Sequence, residues 1–284
     1  MEIKLDMQKQ KHTPGIWSLA SGSKANCTLV CGYDSAILID LGVSCRAANA
    51  ELKTLGLSLD DIDAVFITHE HSDHIAGLDT FFKKYKTPVF MTEPSYLGYI
   101  RGKGFEHRDE VNVKKDVEFT ETVGGFTVTS LSVPHDSASC VAYKITGEGI
   151  SLGICTDTGA PSEKLLDFFS DCKSVITECN HDVIMLKCGI YPEELKYRIL
   201  SDYGHTSNDA CAAFAVRLAE RGVENLLLAH VSPENNTPDL ALYTVSEALR
   251  ASGRGFSYIG VAPRVGLLKF PPSVEADTEG LKDA

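Results

Sequence analysis

Thr68-His69-Glu70-His71-Ser72-Asp73-His74 places His69, His71, Asp73 and His74 within six residues, directly after the apolar run Ala64 to Thr68. That run has the length and composition of a buried strand. The positions that follow, Ile75, Leu78, Phe81 and Phe82, predict a helix from Ile75 buried along one side. Polar side chains at the end of a buried strand need partners. Imidazole nitrogens and carboxylate oxygens suit Zn, Mn or Fe. An isolated His-x-His is often just packed or exposed histidine, but three imidazoles and a carboxylate at this density point to a metal.

Working outward, three more strand-like runs end in a metal-ligand residue. Thr129 to Pro134 leads into His135, Ser151 to Thr156 into Asp157, and Leu226 to Ala229 into His230. In α/β sheets, sites assemble outside the carboxyl ends of strands, where strands set direction and loops supply functional groups. Seven ligands exceed what one cation accepts comfortably, so the expectation is two divalent transition-metal ions. One would take His69, His71 and His135, the other Asp73, His74 and His230, with Asp157 bridging.

Strand-length apolar runs alternate with helical patterns along the whole chain, which predicts an α/β protein. Ser44 is placed to cap a helix ending at Gly56, and Pro161 or Ser162 one running through Ser170. Pro192 begins another. Ser207 caps a helix over about 208–221, and Thr237 with Pro238 starts one ending near Gly253. Residues 1–270 are expected to form one domain. The acidic stretch 271–284 reads as a disordered tail.

The chain has 284 residues, with 27 Lys and Arg against 39 Asp and Glu, for a formal charge of −12. Such a balance argues against wholesale electrostatic capture of DNA or an anionic membrane, so any nucleic acid must be held locally. Nine scattered cysteines contain no CxxC pair. No apolar stretch reaches the ~20 residues of a membrane span, and no signal-like segment opens the chain. These features predict a cytoplasmic protein with no membrane partner.

The order HxHxDH, His135, Asp157, His230 resembles the metallo-β-lactamase superfamily, which implies a four-layer αββα sandwich of two mixed sheets with metals at one edge. Two further residues discriminate among its activities. Glu178 ends the run Ser174 to Thr177, and His205 precedes the helix capped by Ser207. This pairing is similar to that of ribonuclease Z, in which the His helps protonate the leaving oxygen and the Glu orients it. The resemblance is closer still to the YycJ (WalJ) family, through LASGSKANCTLV, VPHDSASCVAYKI, TDTGAPS, ECNHDVIML and YPEELKYRILSDYGHTSND. Two positions depart from that pattern: Ala25 stands where Gly is expected, and Thr206 where Leu is usual. The intervals 135–157 and 178–205 are too short for a tRNA-binding arm or an inserted β-CASP domain.

The resemblance implies a dinuclear phosphodiesterase, a 5′ to 3′ exonuclease whose partner is DNA with a free 5′ end. In that reading Asp73 also orients the attacking water, His205 donates a proton to the departing 3′ oxygen, and Glu178 fixes the His205 tautomer. Ser21, Ser23, Lys24 and Asn26 are candidates for binding phosphate, or for an ordinary solvated turn. His181, Ser207 and Asn235 are further substrate-contact candidates. A glyoxalase II-type thioester or lactone hydrolase would use the same seven ligands but leaves Glu178 and His205 unexplained. A non-catalytic metal-binding scaffold is the other alternative. Oligomeric state is not readable from the sequence.

Overall fold

In the computed structural model, residues 12–101 and 111–271 are described. Apart from Pro271, the expected acidic tail therefore lies outside the described residues. The first sheet contains β1 (Gly15–Ala20), β2 (Cys27–Cys31), β3 (Ala36–Ile39), β4 (Ala64–Phe66), β5 (Val89–Thr92), β6 (Val111–Lys114) and β14 (Leu268–Phe270), in the order β14-β1-β2-β3-β4-β5-β6. The second contains β7 (Thr120–Val123), β8 (Phe126–Val133), β9 (Cys140–Gly147), β10 (Ile150–Cys155), β11 (Ser174–Glu178), β12 (Asn225–Ala229) and β13 (Tyr258–Val261), in the order β13-β12-β11-β10-β9-β8-β7. Strands β3 to β6 run parallel, as do β10 to β13, and the remaining pairings are antiparallel. Both sheets are mixed.

Alternate residues of each central strand enter different cores, and this produces four layers. Ile37, Ile39, Ala64, Phe66, Leu227 and Ala229 face a core between the sheets. Leu38 and Val65 face outward with Leu52, Phe81 and Tyr96. Leu226 and Leu228 pack with Phe169, Phe214 and Val245. The helices supplying those outer residues are α1 (Cys45–Thr54), α2 (Ser72–Ile75), α3 (Leu78–Lys84) and α4 (Glu93–Ile100) on one side. On the other are α5 (Glu163–Phe169), α8 (Asn208–Glu220) and α9 (Pro238–Ser252), with α6 (Val183–Cys188) and α7 (Glu193–Leu200) in the connection from β11 to α8. Central strands such as AILI and LLLA are uniformly apolar because both faces are covered.

Ser44, Ser162, Ser207 and Thr237 each accept a hydrogen bond from the third residue onward, and Gly253 ends α9 in the left-handed conformation. The helix expected from Ile75 differs. It starts at Ser72, which puts Asp73 and His74 on α2, and it breaks before Leu78. A Cβ at Gly77 would lie 2.4 Å from the Val43 carbonyl oxygen, so backbone packing against residues 41–43 interrupts it. The half-exposed edge strands β6 and β7 and the short helices α4 and α6 were not anticipated.

Phe66 stacks on Phe90 with centroids 4.7 Å apart and meets Tyr143 edge-on at 5.7 Å, in the core between the sheets. Phe66→Ala is expected to lower unfolding free energy by about 3–5 kcal/mol, read from the urea midpoint. A change within about 0.5 kcal/mol, as for surface substitutions, would contradict this packing.

Candidate metal centre

Ligand-bearing loops leave the carboxyl ends of β4, β8, β10 and β12. Since β8 and β10 both pair antiparallel with β9, their carboxyl ends share one edge, and β11 and β12 run parallel to β10. Two bonds tie the sheets together at this edge: Tyr143 Oη donates to the Ile67 carbonyl at 2.8 Å, and Val141 N–H to that of Thr68 at 3.2 Å. The loop carrying His69 to His74 is clamped from beneath. Asn26 N–H donates to the Asp73 carbonyl at 2.8 Å, and Leu41 N–H to that of His74 at 2.9 Å. A Cβ on Gly42 would sit 1.6 Å from the Asp73 carbonyl oxygen, so this approach requires glycine.

The seven residues converge. Ligand atoms of His69, His71 and His135 lie within 4.8 Å of one another, as do those of Asp73, His74 and His230. Asp157 groups with His69 and His74, and a fourth set joins it with Glu178, His205 and His230. Asp157 thus reaches both histidine groups. The donors fit divalent cations: His69 Nε2 is buried with no hydrogen-bond partner, and His135 Nε2 lies 3.3 Å from His71 Nδ1 with imidazoles crowded around it. Bringing unpaired ring nitrogens this close is costly unless a cation accepts them.

Carboxylates behind the ligands orient the rings. Asp40, at the end of β3, takes His74 Nδ1 at 2.7 Å, leaving Nε2 for the site, and also accepts from the Thr68 N–H and hydroxyl. His135 Nδ1 donates to the Gly204 carbonyl at 3.1 Å. Glu178 is fully buried. Its Oε1 lies 2.7 Å from His205 Nδ1 and 3.0 Å from His230 Nδ1, while Oε2 accepts from the N–H groups of Thr158 and Thr206. The His205 and His230 rings stack at 5.3 Å. Glu178 therefore touches both the proton-donor candidate and a metal-ligand candidate. Asp40 carries no motif in the sequence, although it too follows an apolar strand at this edge.

Electrostatics show a site short of positive charge. Burial alone would push the His230 ring down, but Asp157, Asp73 and Glu178 outweigh it and raise the ring to about 10. Burial is likewise overcome at His74, where Asp40 and Asp157 hold the proton. Desolvation would raise Asp73 and Asp157, yet contacts with His230 and His74 keep both carboxyls well below their usual range. Burial and the neighbouring His74 push His69 down, and burial and His135 do the same to His71. Asp40 and His230 also adopt left-handed backbone, with φ of 61° and 54°. Such conformations gather at functional sites.

The substrate-contact candidates divide. Ser21 Oγ accepts from the His230 N–H at 2.8 Å, and the Asn26 amide bonds Gly22 and Asp73 Oδ2, so both brace the ligand loops from within. Ser207 caps α8, and Asn235 is buried with its carbonyl accepting from Asp182. His181 is buried with both ring nitrogens lacking partners, and desolvation lowers it to about 4. Only Ser23 and Lys24 of these seven are exposed.

Asp40→Asn should weaken metal binding about 10- to 100-fold in competition with a chelator; unchanged affinity would remove Asp40 from the site. At pH 7 the metal-free His74 and His230 rings carry protons, whereas a ligating imidazole must be neutral. Metal loading should therefore release protons and weaken as pH falls. Calorimetry in buffers of different ionisation enthalpy would detect the release, and its absence would contradict this assignment.

Residues 21–230 match the metallo-beta-lactamase superfamily. The exodeoxyribonuclease YycJ of Bacillus anthracis is 35% identical over 243 residues, covering 84% of this chain and 89% of that protein. The exodeoxyribonuclease WalJ of Streptococcus pneumoniae is 32% identical over 239 residues, covering 84% and 88%. The metallo-beta-lactamase fold protein YhfI from Bacillus subtilis superposes with a TM-score of 0.65 at 18% identity, covering 90% of this chain and all of the other. The αββα architecture, the clustered ligands and these likenesses agree: the chain belongs to the metallo-beta-lactamase superfamily and, within it, to the family of the YycJ and WalJ exodeoxyribonucleases.

Proposed function

We propose that the protein is a metal-dependent phosphodiesterase, an exonuclease that degrades DNA from a free 5′ end using two divalent cations of the Zn, Mn or Fe type. The observation that carries this reading is the pairing of buried Glu178 with the partly exposed His205 beside the ligand cluster. His69, His71 and His135 would hold one ion and Asp73, His74 and His230 the other, with Asp157 between them. Bound there, the cations lower the pKa of water and neutralise phosphate oxygens.

The protein's own groups supply the rest. Asp73, ionised and with its side chain 18% exposed, would accept a hydrogen bond from the attacking water and orient it. Burial pushes the His205 ring down, but Glu178 more than offsets this and keeps the imidazole protonated above its usual range. With Nδ1 engaged by Glu178, Nε2 is left to give its proton to the 3′ oxygen as the phosphorus–oxygen bond breaks. The remaining strand then carries the 5′ phosphate. A thioester hydrolase has an easily expelled thiolate and no need for such a donor.

The test uses protein loaded with Mn or Zn on 5′-phosphorylated single-stranded DNA, RNA and S-lactoylglutathione. DNA cleavage is expected, and thioester turnover without nuclease activity would overturn the proposal. His205→Ala should lower kcat about 10²- to 10⁴-fold with metal content unchanged. Loss of metal in that variant would make His205 a ligand instead.

A further inference from the structure

Beside the ligand cluster, the loop over 21–26 carries an unassigned groove. Its buried ends, Ser21 and Asn26, brace His230 and Asp73, while its middle is exposed. Against that middle lies a second loop. Strand β13 pairs parallel with β12, Val261 opposite Leu228, so the chain after β13 emerges at the same sheet edge as His230. This brings Arg264 across Gly22, where a Cβ would stand 3.9 Å from Arg264 Cγ. Lys24 and Arg264 line a cavity of about 180 Å³ whose walls include Ala25, Val231, Pro233 and Val265. Ala25 and Val265 continue into a second cavity of about 290 Å³, walled by Leu19, Val43 and Ala47.

Three features suit this groove to a nucleotide chain. The cavity begins at Val231, one residue past His230. Lys24 and Arg264 have no ion-pair or hydrogen-bond partner for their side chains among the described residues, although the chain carries 39 acidic groups. An apolar trough adjoins the cations, and Val265, 81% exposed, stands on the ridge between the two compartments. A nucleotide presents this same pattern, an anionic phosphate next to an apolar base face.

We infer that Lys24 and Arg264 clamp a backbone phosphate of the substrate strand next to the one being cleaved, with the attached base lying across Val265 into the trough. This rests on the phosphodiesterase reading and adds the path of the strand. Ala25, where the loop departs from the expected glycine, forms part of both walls.

The experiment measures kcat and KM on 5′-phosphorylated single-stranded DNA across a salt series for wild type, Lys24→Gln, Arg264→Gln, the double variant and Arg264→Lys, all metal-loaded. Each removed charge should raise KM several-fold, more than it lowers kcat. The plot of log(kcat/KM) against log salt should become shallower by about 0.7 per charge, with Arg264→Lys near wild type. If KM and the slope stay at wild-type values in the double variant, the clamp is wrong while the nuclease reading stands. A fall in kcat alone would also overturn it, since that is the mark of a disturbed ligand loop. Wild-type protein that does not cleave DNA would overturn the parent reading instead.

Discussion

The contact on which the rest of the site depends is that between Asp40 and His74, two buried side chains 2.7 Å apart. A buried carboxylate facing an imidazole is stable only when its remaining lone pairs are also satisfied, and Thr68 meets that need with its N–H and hydroxyl. The bond thereby joins the end of β3 to the chain leaving β4, strands already paired in parallel with Ile39 opposite Phe66. Sheet register fixes where Asp40 stands, Asp40 fixes the His74 ring, and the α2 turn carries Asp73 with it. The left-handed backbone at Asp40 is tolerated because Asp pays little penalty there and three hydrogen bonds hold the carboxylate in place.

The second sheet answers with Glu178. Like Asp40 it ends or follows a central parallel strand, lies inside the protein and binds imidazole through Nδ1, so the opposite nitrogen is left for the cleft. It does this for two rings at once, and Asn180 adds a bond to the His230 carbonyl. The consequence is a division of labour. Asp40 and Glu178, bonded to Nδ1 atoms, set tautomers, while Asp73 and Asp157 remain ionised among the histidines. Such a cluster is stable only with added positive charge, which protons supply when no cation does.

Much of this was legible in the sequence because the relevant signals are local. Strands covered on both faces read as continuous apolar runs, four of them end in ligands, and Ser44, Ser162, Ser207 and Thr237 mark helix starts by their own chemistry. What escaped depends on contacts distant in sequence. Asp40 looks like any turn residue after a strand until β3 and β4 are placed side by side. Ser21 and Asn26 suggested phosphate contacts, but their polar atoms face His230 and Asp73 across 209 and 47 residues of chain. The break between α2 and α3 arises from the backbone of residues 41–43, which no periodicity records. Edge strands β6 and β7, with polar residues at Asn112, Lys114, Thr120, Glu121 and Thr122, lack the apolar signature of the central ones.

A net charge of −12 and a polyanionic substrate pose a problem that the distribution of charge resolves. Mutual repulsion acts over about one Debye length, roughly 8–10 Å at physiological salt, so it slows approach more than it weakens a seated complex. The metal centre itself is short of positive charge until cations fill it, because Asp73 and Asp157 stay ionised among the histidines. Bound cations, together with Lys24 and Arg264, whose side chains have no ion-pair or hydrogen-bond partner among the described residues, would supply the positive charge that meets the strand. Added salt therefore acts in opposite senses on the two stages, easing encounter while weakening the contacts that hold the strand. On the proposed reading, the favourable charges are few and close to the reacting bond, so engagement would require a strand end or segment that can enter the cleft. A net charge of −12 that repels the rest of the polymer would then favour processing at a terminus over retention along a duplex.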